Sequence, residues 1–141
     1  MKRQSKNAQR IAEALARHPA ITRMHYPTLF TDPEQIRIRD AQCRHPGSIF
    51  AFELQGGKAA AFDFLRRLRI AHNAVSLGGV ETLACHPATT THSELSPQEQ
   101  AETGVNGALI RISIGVEDWR DLLNDFRKAR EGLPVPEPAS K

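Results

Sequence analysis

The strongest constraint on the fold is the alternation of apolar side chains along residues 48–54. Successive side chains of an extended strand point to opposite faces, so every second residue of this segment shares one face. Residues 109–115 repeat the pattern and place Arg111 and Ser113 on the face opposite to the isoleucines. The apolar positions of the two segments are Phe50, Phe52, Leu54, Ile110, Ile112 and Ile114. A sheet built on two such strands needs helices to cover its apolar face.

Helical spacing of apolar residues predicts helices before, between and after these strands. The predicted helices cover residues 5–17, 32–43, 58–69, 96–104 and 117–131. Two of them carry start signals, because Asp32 with Gln35 and Ser96 with Glu99 fit a capping box that has proline at the first helical position. The apolar stripes of the third and the last helix are assigned to Phe62, Leu65 and Leu68, with Ala61 and Phe64 alongside, and to Trp119, Leu122, Leu123 and Phe126.

Two further strands complete the predicted sheet. Residues 21–26 are predicted to form an edge strand that ends at Pro27, and residues 70–76 to re-enter the sheet. This arrangement predicts an α+β fold: a two-layer sandwich with a small, mostly antiparallel sheet and helices packed on one face. We expect a single domain over residues 1–133, followed by a Pro-rich mobile tail at residues 134–141.

Composition and charge narrow the class of protein. The chain has 141 residues, of which 40% are hydrophobic and 25% charged, as in an ordinary folded domain. Its net charge of +3 is compatible with a nucleic-acid partner, but the basic residues are scattered except at Arg66, Arg67 and Arg69, so we predict none. The start of the chain is polar, no apolar run reaches membrane-spanning length, and Cys43 and Cys85 lack the spacing of a disulfide framework. We therefore expect a cytoplasmic protein that binds neither nucleic acid nor membrane.

Candidate functional residues are concentrated in residues 76–83 (SLGGVETL) and at Arg111. The Gly78-Gly79 pair allows the backbone to approach a ligand or another backbone closely. An arginine at a strand can bind a carboxylate or a phosphate through its planar fork, but composition alone does not name the ligand. The alternative is that Arg111 is an ordinary surface arginine on the solvent face of the sheet.

A metal site and a hydroxyl nucleophile are two other interpretations of the loop that follows. His86 and His92, beside Cys85, are candidate zinc ligands, but zinc sites usually combine ligand pairs from two segments. Here only Cys43 and His45 are available as the second pair, so we predict no metal site. The three threonines at 89–91 have no base placed beside them by the sequence, and we expect them to form a hydrogen-bonded loop.

Several ordered motifs together resemble a known family. They are residues 74–83 (AVSLGGVETL), 86–88 (HPA), 91–92 (TH), 104–105 (GV), 109–118 (LIRISIGVED) and, earlier in the chain, 46–54 and 56–58. At matching spacing, they closely resemble the C-terminal part of the Cys/Met-metabolism pyridoxal-phosphate enzymes. That family includes cystathionine γ-synthase, cystathionine lyases, methionine γ-lyase and O-acyl-homoserine sulfhydrylases. The resemblance covers nearly the whole chain.

The resemblance carries expectations about fold, activity and site residues. It implies the small domain of fold-type I enzymes and transsulfuration chemistry, that is, β- or γ-elimination or replacement on cystathionine, methionine or O-acyl-homoserine. Arg111 would hold the α-carboxylate of the amino acid, with Ser76 and Leu77 beside it. Glu81 would lie at the substrate entrance, although an exposed strand glutamate is an equal alternative. Pyridoxal 5′-phosphate is the cofactor implied for the complete enzyme, which would be a homo-oligomer, tetrameric in the family.

The chain also departs from the family pattern. The family carries its cofactor-binding lysine, phosphate-binding residues and ring-stacking tyrosine in a large N-terminal domain, and none of Lys2, Lys6, Lys58, Lys128 or Lys141 lies in a matching context. The resemblance thus implies a substrate-recognition domain with no catalytic residue of its own, inactive alone and unable to hold the cofactor. We expect its lost interface to expose Leu77, Val80 and Leu109. The alternative is a non-catalytic binding or interaction domain that keeps the fold without the chemistry.

Overall fold

A computed structural model describes residues 1–135, so most of the proline-rich tail, residues 136–141, lies outside the described part. The helices are α1 (Lys2–Leu15), α2 (Pro33–Gln42), α3 (Gly57–Arg67), α4 (Pro97–Glu102) and α5 (Trp119–Ala129). The strands are β1 (Ile21–His25), β2 (Ile49–Leu54), β3 (His72–Asn73), β4 (Leu83–Cys85) and β5 (Leu109–Ser113). Among residues 1–135, no helix is both long and apolar enough to cross a membrane.

The strands form one mixed sheet in the order β1-β2-β5-β4-β3. Every neighbouring pair is antiparallel except β3 with β4, which is parallel. The predicted edge position of β1 is confirmed. Arg111 on the central strand β5 lies opposite Ala51 of β2 and Cys85 of β4. The candidate arginine is therefore held by two hydrogen-bonded neighbours, which fixes the direction of its side chain.

The core lies between one face of this sheet and helices α1, α3 and α5. The alternate residues predicted for β2 and β5 are buried: Phe50, Phe52, Leu54, Ile110, Ile112 and Ile114. Aromatic rings connect the two layers, since Phe52 meets Phe64 of α3 edge to face at 5.4 Å and Phe64 packs at 6.1 Å from Phe126 of α5. The predicted α+β fold, a small sheet covered by helices on one face, is confirmed. Arg111, between Ile110 and Ile112, points away from the helix layer.

Four local predictions need correction. The buried stripe of α3 is Ala60, Ala61, Phe64 and Leu65, whereas Phe62 is 37% exposed. A helix turns by about 100° per residue, so Phe62 lies about 130° from the centre of the stripe that Ala60, Ala61, Phe64 and Leu65 form. Trp119 at the start of α5 is only partly buried.

The predicted strand 70–76 is reduced to His72–Asn73. The Ala74 N–H still donates to the Ala84 carbonyl of β4 at 2.9 Å, and after this residue the chain leaves the sheet and is held over its outer face. At the start of α2, the Asp32 carboxylate accepts from the Glu34 backbone N–H at 2.8 Å, so Asp32 caps the helix but Gln35 completes no box. The second predicted box is confirmed, because Ser96 and Glu99 bond each other reciprocally.

Candidate functional site

Arg111 reaches across the outer face of the sheet to the loop formed by residues 75–82, which we call the site loop. Its Nη2 atom donates to the carbonyl oxygens of Val75 at 2.7 Å and Ser76 at 3.2 Å. Within residues 1–135, its Nε and Nη1 atoms have no protein acceptor and no carboxylate lies within ion-pair distance. Arg111 thus ties the loop to the sheet with one nitrogen and leaves two nitrogens with free N–H donors beside it.

Ser113, two residues along the same strand, supports the middle of the site loop. Its buried hydroxyl oxygen accepts from the Gly78 backbone N–H at 2.9 Å. Gly78 has φ +79°, a left-handed conformation that glycine adopts without the strain of a side chain. The glycine at 78 therefore lets the backbone turn so that its N–H faces the sheet.

Helix α1 holds the loop from the other side. Gln4 is buried, and its Nε2 atom donates to the carbonyl of Gly79 at 2.8 Å and to that of Ile114 at 3.3 Å. Asn7, one turn later, donates to the carbonyls of Glu117 at 2.9 Å and Gly115 at 3.4 Å. These polar side chains satisfy carbonyls of the two segments that would otherwise be left unpaired near the core.

The end of the site loop is fixed by Glu117. Its carboxylate accepts from the Thr82 backbone N–H at 2.6 Å and from the Thr82 hydroxyl at 2.8 Å. The same hydroxyl oxygen accepts from the Gly115 N–H at 2.9 Å, and the Val116 N–H donates to the Val80 carbonyl at 2.8 Å. Thr82 is completely buried, so this network anchors the loop to the segment that follows β5.

Gly115 is required by the close approach of these two segments. A Cβ atom at this position would lie 2.7 Å from the backbone carbon of Glu81 and would also collide with the Val80 carbonyl oxygen and the Glu117 carboxylate. Contacts so short do not occur between real Cβ atoms and backbone. The glycine thus sets the distance between the site loop and β5.

The structure brings Arg111, Ser76 and Leu77 together but assigns them different surroundings. Ser76 is exposed and meets Arg111 through its backbone carbonyl, while Leu77 is 52% exposed. Glu81 is also exposed, and its carboxylate folds back over Gly79. A Cβ atom added at Gly79 would lie 2.8 Å from a carboxylate oxygen of Glu81. Of the three apolar residues expected to be exposed, Leu77 and Val80 are exposed. The expectation for Leu109 was wrong, because only 7% of its surface is exposed.

Sequence reasoning gave no supporting role to the residues that hold the loop, namely Gln4, Asn7, Thr82 and Glu117. A signal was present for the first two, because they fall on the apolar stripe of α1 that continues through Ala8 and Ile11. A polar residue on a buried helix face needs a partner. No comparable signal marked Glu117, which bonds a residue 35 positions away.

The other candidate residues have structural roles. His86 is buried, with Nε2 2.8 Å from the Gly107 carbonyl and Nδ1 2.8 Å from the Thr89 hydroxyl. Since a carbonyl only accepts, Nε2 carries the proton and Nδ1 accepts from Thr89. Throughout residues 1–135, no group of three or more His, Cys, Asp or Glu side chains could hold a metal ion. The Thr90 hydroxyl donates to the His86 carbonyl, as in a hydrogen-bonded loop.

Comparison with known proteins identifies the family. A family model described as Cys/Met metabolism PLP-dependent enzyme matches residues 1–131. The chain belongs to this family. It is 45% identical over 129 residues to the L-methionine gamma-lyase of Pseudomonas putida, covering 92% of this chain and 32% of that protein. It is 37% identical over 127 residues to the O-acetyl-L-homoserine sulfhydrylase 1 of Thermus thermophilus, covering 90% of this chain and 30% of that protein.

A solved structure agrees with this assignment. The cystathione gamma lyase of Micromonospora echinospora superposes with a TM-score of 0.86 and 37% identity, covering 93% of this chain and 34% of that chain. The chain thus spans about a third of the length of the curated relatives that it matches. The matched family is one of PLP-dependent enzymes of Cys/Met metabolism.

The family implies the cofactor pyridoxal phosphate, which enzymes hold as an imine with a lysine side chain. An imine requires a lysine amine close to the substrate. The lysines of residues 1–135 are Lys2, Lys6, Lys58 and Lys128, all exposed on helices α1, α3 and α5. These helices cover the sheet face opposite to Arg111, and Lys58 stacks on Phe62 at 5.4 Å. The lysines of this part of the chain do not fit the role of the cofactor-holding residue.

Proposed function

We propose that residues 1–133 form the C-terminal substrate-recognition domain of an enzyme that catalyses β- or γ-elimination or γ-replacement on cystathionine, methionine or O-acyl-homoserine. In this proposal Arg111 binds the α-carboxylate of the amino acid. The observation that carries it is the state of Arg111, which is fixed through one nitrogen while two others keep free N–H donors.

The geometry of Arg111 suits a carboxylate. A guanidinium presents parallel N–H donors in a plane, which matches the two oxygens of a carboxylate. The bonds to Val75 and Ser76 restrict the side chain before a ligand arrives, so less conformational entropy remains to be lost on binding. Neighbouring main chain is fixed as well, because Ser113, Gln4 and Glu117 hold the rest of the site loop.

The other site residues take supporting roles in the proposal. Ser76 presents an exposed side chain next to the arginine, where its hydroxyl can bond the carboxylate or a group attached to it. Leu77, half exposed beside it, supplies apolar surface toward the substrate. The exposed Glu81 lines the substrate entrance in this proposal. All of these residues belong to one segment whose position depends on Arg111.

The catalytic residues and the cofactor site belong, in this proposal, to an N-terminal domain that corresponds to the part of the relatives not spanned by this chain. The complete enzyme is proposed to be a cytoplasmic homo-oligomer of the kind expected from the family. Pyridoxal phosphate supplies an electron sink when bound to such enzymes. This chain's contribution is to bind and orient the amino acid, and the chain alone is expected to be inactive.

A chimeric enzyme tests the proposed function. Residues 1–133 would replace the matching C-terminal third of the Pseudomonas putida methionine gamma-lyase, whose identity to this chain is 45%. We expect the purified chimera to eliminate methanethiol from methionine or a related sulfur amino acid. Borohydride reduction followed by mass spectrometry should find the pyridoxyl group on a lysine of the Pseudomonas portion.

The isolated chain is the matched control for this experiment. Incubated with pyridoxal phosphate and reduced in the same way, it should show only scattered substoichiometric labelling. A single stoichiometric adduct on one of its lysines would contradict the proposal, because the cofactor site would then lie within this chain. A folded chimera that binds the cofactor but processes no sulfur amino acid would also contradict it.

A further inference from the structure

Basic residues that are scattered in the sequence come together in a groove between α1 and α5. The two helices pack side by side, and three connected depressions follow their line of contact. The basic residues that line them are Lys2, Arg3, Lys6, Arg10, Arg17, Arg120, Arg127 and Arg130. Sequence reasoning recognised a basic cluster only at residues 66–69 and therefore overlooked this one, because its members lie on or just after α1 and α5, the first and last helices of the described chain.

The three acidic residues that line the groove are outnumbered by the eight basic ones. Glu13 accepts hydrogen bonds from Gln9 and Thr28 at 3.0 Å each. The Glu117 carboxylate accepts hydrogen bonds from the Thr82 N–H and hydroxyl. The Asp118 carboxylate caps α5 by accepting from the Arg120 N–H. Of the groove cations, Arg120 alone has a carboxylate within 4.0 Å among residues 1–135, and that pair to Asp118 is long, at 3.7 Å. The groove therefore keeps a net positive charge, and most of its cations have no carboxylate within ion-pair distance among residues 1–135.

Trp119 organises the centre of the groove. The guanidinium groups of Arg10 and Arg120 lie 5.1 Å and 5.0 Å from the centroid of its ring, within the range of cation–π attraction. The central depression has a volume of about 730 Å³, and Arg17 and Arg127 line it together with these two arginines. Ala14, Trp119 and Leu123 provide apolar lining. Four arginine forks thus share one depression.

Like charges are also crowded at the far end of the groove. Among residues 1–135, the buried Nη1 atom of Arg130 has no acceptor. Burial and the nearby charge of Arg127 lower the pKa of Arg130, and burial and the charge of Arg130 lower the pKa of His18. An anion in this place would relieve the repulsion that lowers both values.

We infer that the α1–α5 groove binds an oligophosphate, an anion with two or more linked phosphate groups, across Arg10, Arg17, Arg120 and Arg127. A guanidinium group can donate two parallel hydrogen bonds to the oxygens of one phosphate group. Several guanidinium groups in one depression can therefore bind several linked phosphate groups, whereas a single carboxylate would use only one of them. A nucleic acid fits less well, because Trp119 is already covered by two guanidinium groups and offers no free ring for base stacking. This inference does not depend on the proposed enzymatic function.

Calorimetric titration of the 141-residue chain with sodium tripolyphosphate, at an ionic strength of about 0.15 M, tests the inference. One tripolyphosphate should bind per chain, with orthophosphate at least about tenfold weaker because it spans fewer arginines. The variant Arg17→Gln/Arg127→Gln should weaken tripolyphosphate binding by at least about tenfold. ATP distinguishes the sources: tighter binding than tripolyphosphate identifies a nucleotide, and equal or weaker binding a free oligophosphate.

The variant Arg66→Gln/Arg69→Gln is the matched control, because it removes the same net charge from exposed positions outside the groove. It should leave the affinity within about twofold. Equal losses in the two double variants, or tighter binding of a single-stranded oligonucleotide than of tripolyphosphate, would overturn the inference. Amide NMR chemical shifts of the wild-type chain give a second measurement that needs no variant. Tripolyphosphate should shift the amide signals of α1 and α5. Shifts centred elsewhere in the chain would also overturn the inference.

Discussion

Arg111 combines a structural and a proposed functional role in one side chain. Its bonds to the Val75 and Ser76 carbonyls hold the site loop, and its remaining donors point to a ligand role. From the residues alone, Arg111 was either a candidate carboxylate or phosphate ligand or an ordinary arginine on the outer sheet face, and the family motif decided in favour of the ligand role. The motif carried no information about its bonds to the loop, since these depend on a path of the chain that crosses back over the sheet.

The substitution Gly115→Ala should lower the free energy of unfolding by about 1–3 kcal/mol, because the added methyl group would meet the Glu81 backbone at 2.7 Å. Urea unfolding measures this change. Gly107→Ala is the matched control, since its nearest neighbour would be the Lys58 side chain at an ordinary 3.4 Å. Equal stabilities of the two variants would show that the close approach at Gly115 is not rigid.

His18 should make stability depend on pH in a defined direction. Burial, and then the charge of Arg130, lower its pKa below the ordinary value of 6.5, so the unfolded chain binds the proton more readily. Its contribution to stability is therefore present above pH 6.5 and is lost as the pH falls toward the folded-state pKa. Urea midpoints at pH 7.5 and 5 should differ less in His18→Asn, whose oxygen can replace Nδ1 as acceptor for the Ala20 N–H. If His18→Asn and a control His45→Asn gave the same pH dependence, His18 would carry no such effect.

Among the elements, regular strands and helices were predictable and the site loop was not. The alternation in 48–54 and 109–115 and the proline-marked starts of α2 and α4 are local signals, and the structure follows them. Residues 74–76 were assigned to a strand because strand propensity was the only local signal there. In the structure, Arg111 on β5 donates to the Val75 and Ser76 carbonyls and holds this segment outside the sheet, and such a distant partner is not visible in a local pattern.

Glu117 should control the order of the site loop. Glu117→Ala removes the acceptor of the Thr82 N–H and hydroxyl, and hydrogen exchange at the Thr82 and Gly115 amides should then become at least about tenfold faster, since a charged hydrogen bond contributes roughly 1.5–3 kcal/mol. The amides of β2 should be unaffected. Glu94→Ala, at an exposed position, is the control. Unchanged exchange at Thr82 would show that the other tethers suffice.

For the whole molecule, the sheet has one face covered by helices and another that exposes apolar residues near the site loop. The exposed members are Ile49, Val75, Leu77, Val80 and Val116. They adjoin one another in the fold, because Ile49 lies opposite Ser113, which bonds Gly78, and Val116 bonds Val80. An apolar surface around the proposed carboxylate-binding arginine fits a face that meets another domain in the proposed complete enzyme.

The isolated chain should therefore self-associate, and Leu77→Ser/Val80→Ser should reduce this association. Sedimentation velocity over a concentration series measures it directly. Ile38→Ser provides the control, because Ile38 is 40% exposed but lies on α2, away from the site loop. A wild-type chain that stays monomeric throughout the series would contradict the exposed interface.

The catalytic efficiency of the chimeric enzyme carrying Arg111→Ala tests the central claim most directly. Removing one side of a buried charge pair costs roughly 2–5 kcal/mol, so kcat/KM should fall between about 30-fold and several thousand-fold. Most of the loss should appear in KM, since the carboxylate is held both before and during the reaction, and Arg111→Lys should lie nearer the lower end. The exposed Arg66→Ala serves as the control. A kcat/KM for Arg111→Ala within about threefold of the parent would contradict the account and leave Arg111 as a residue that only fastens the loop.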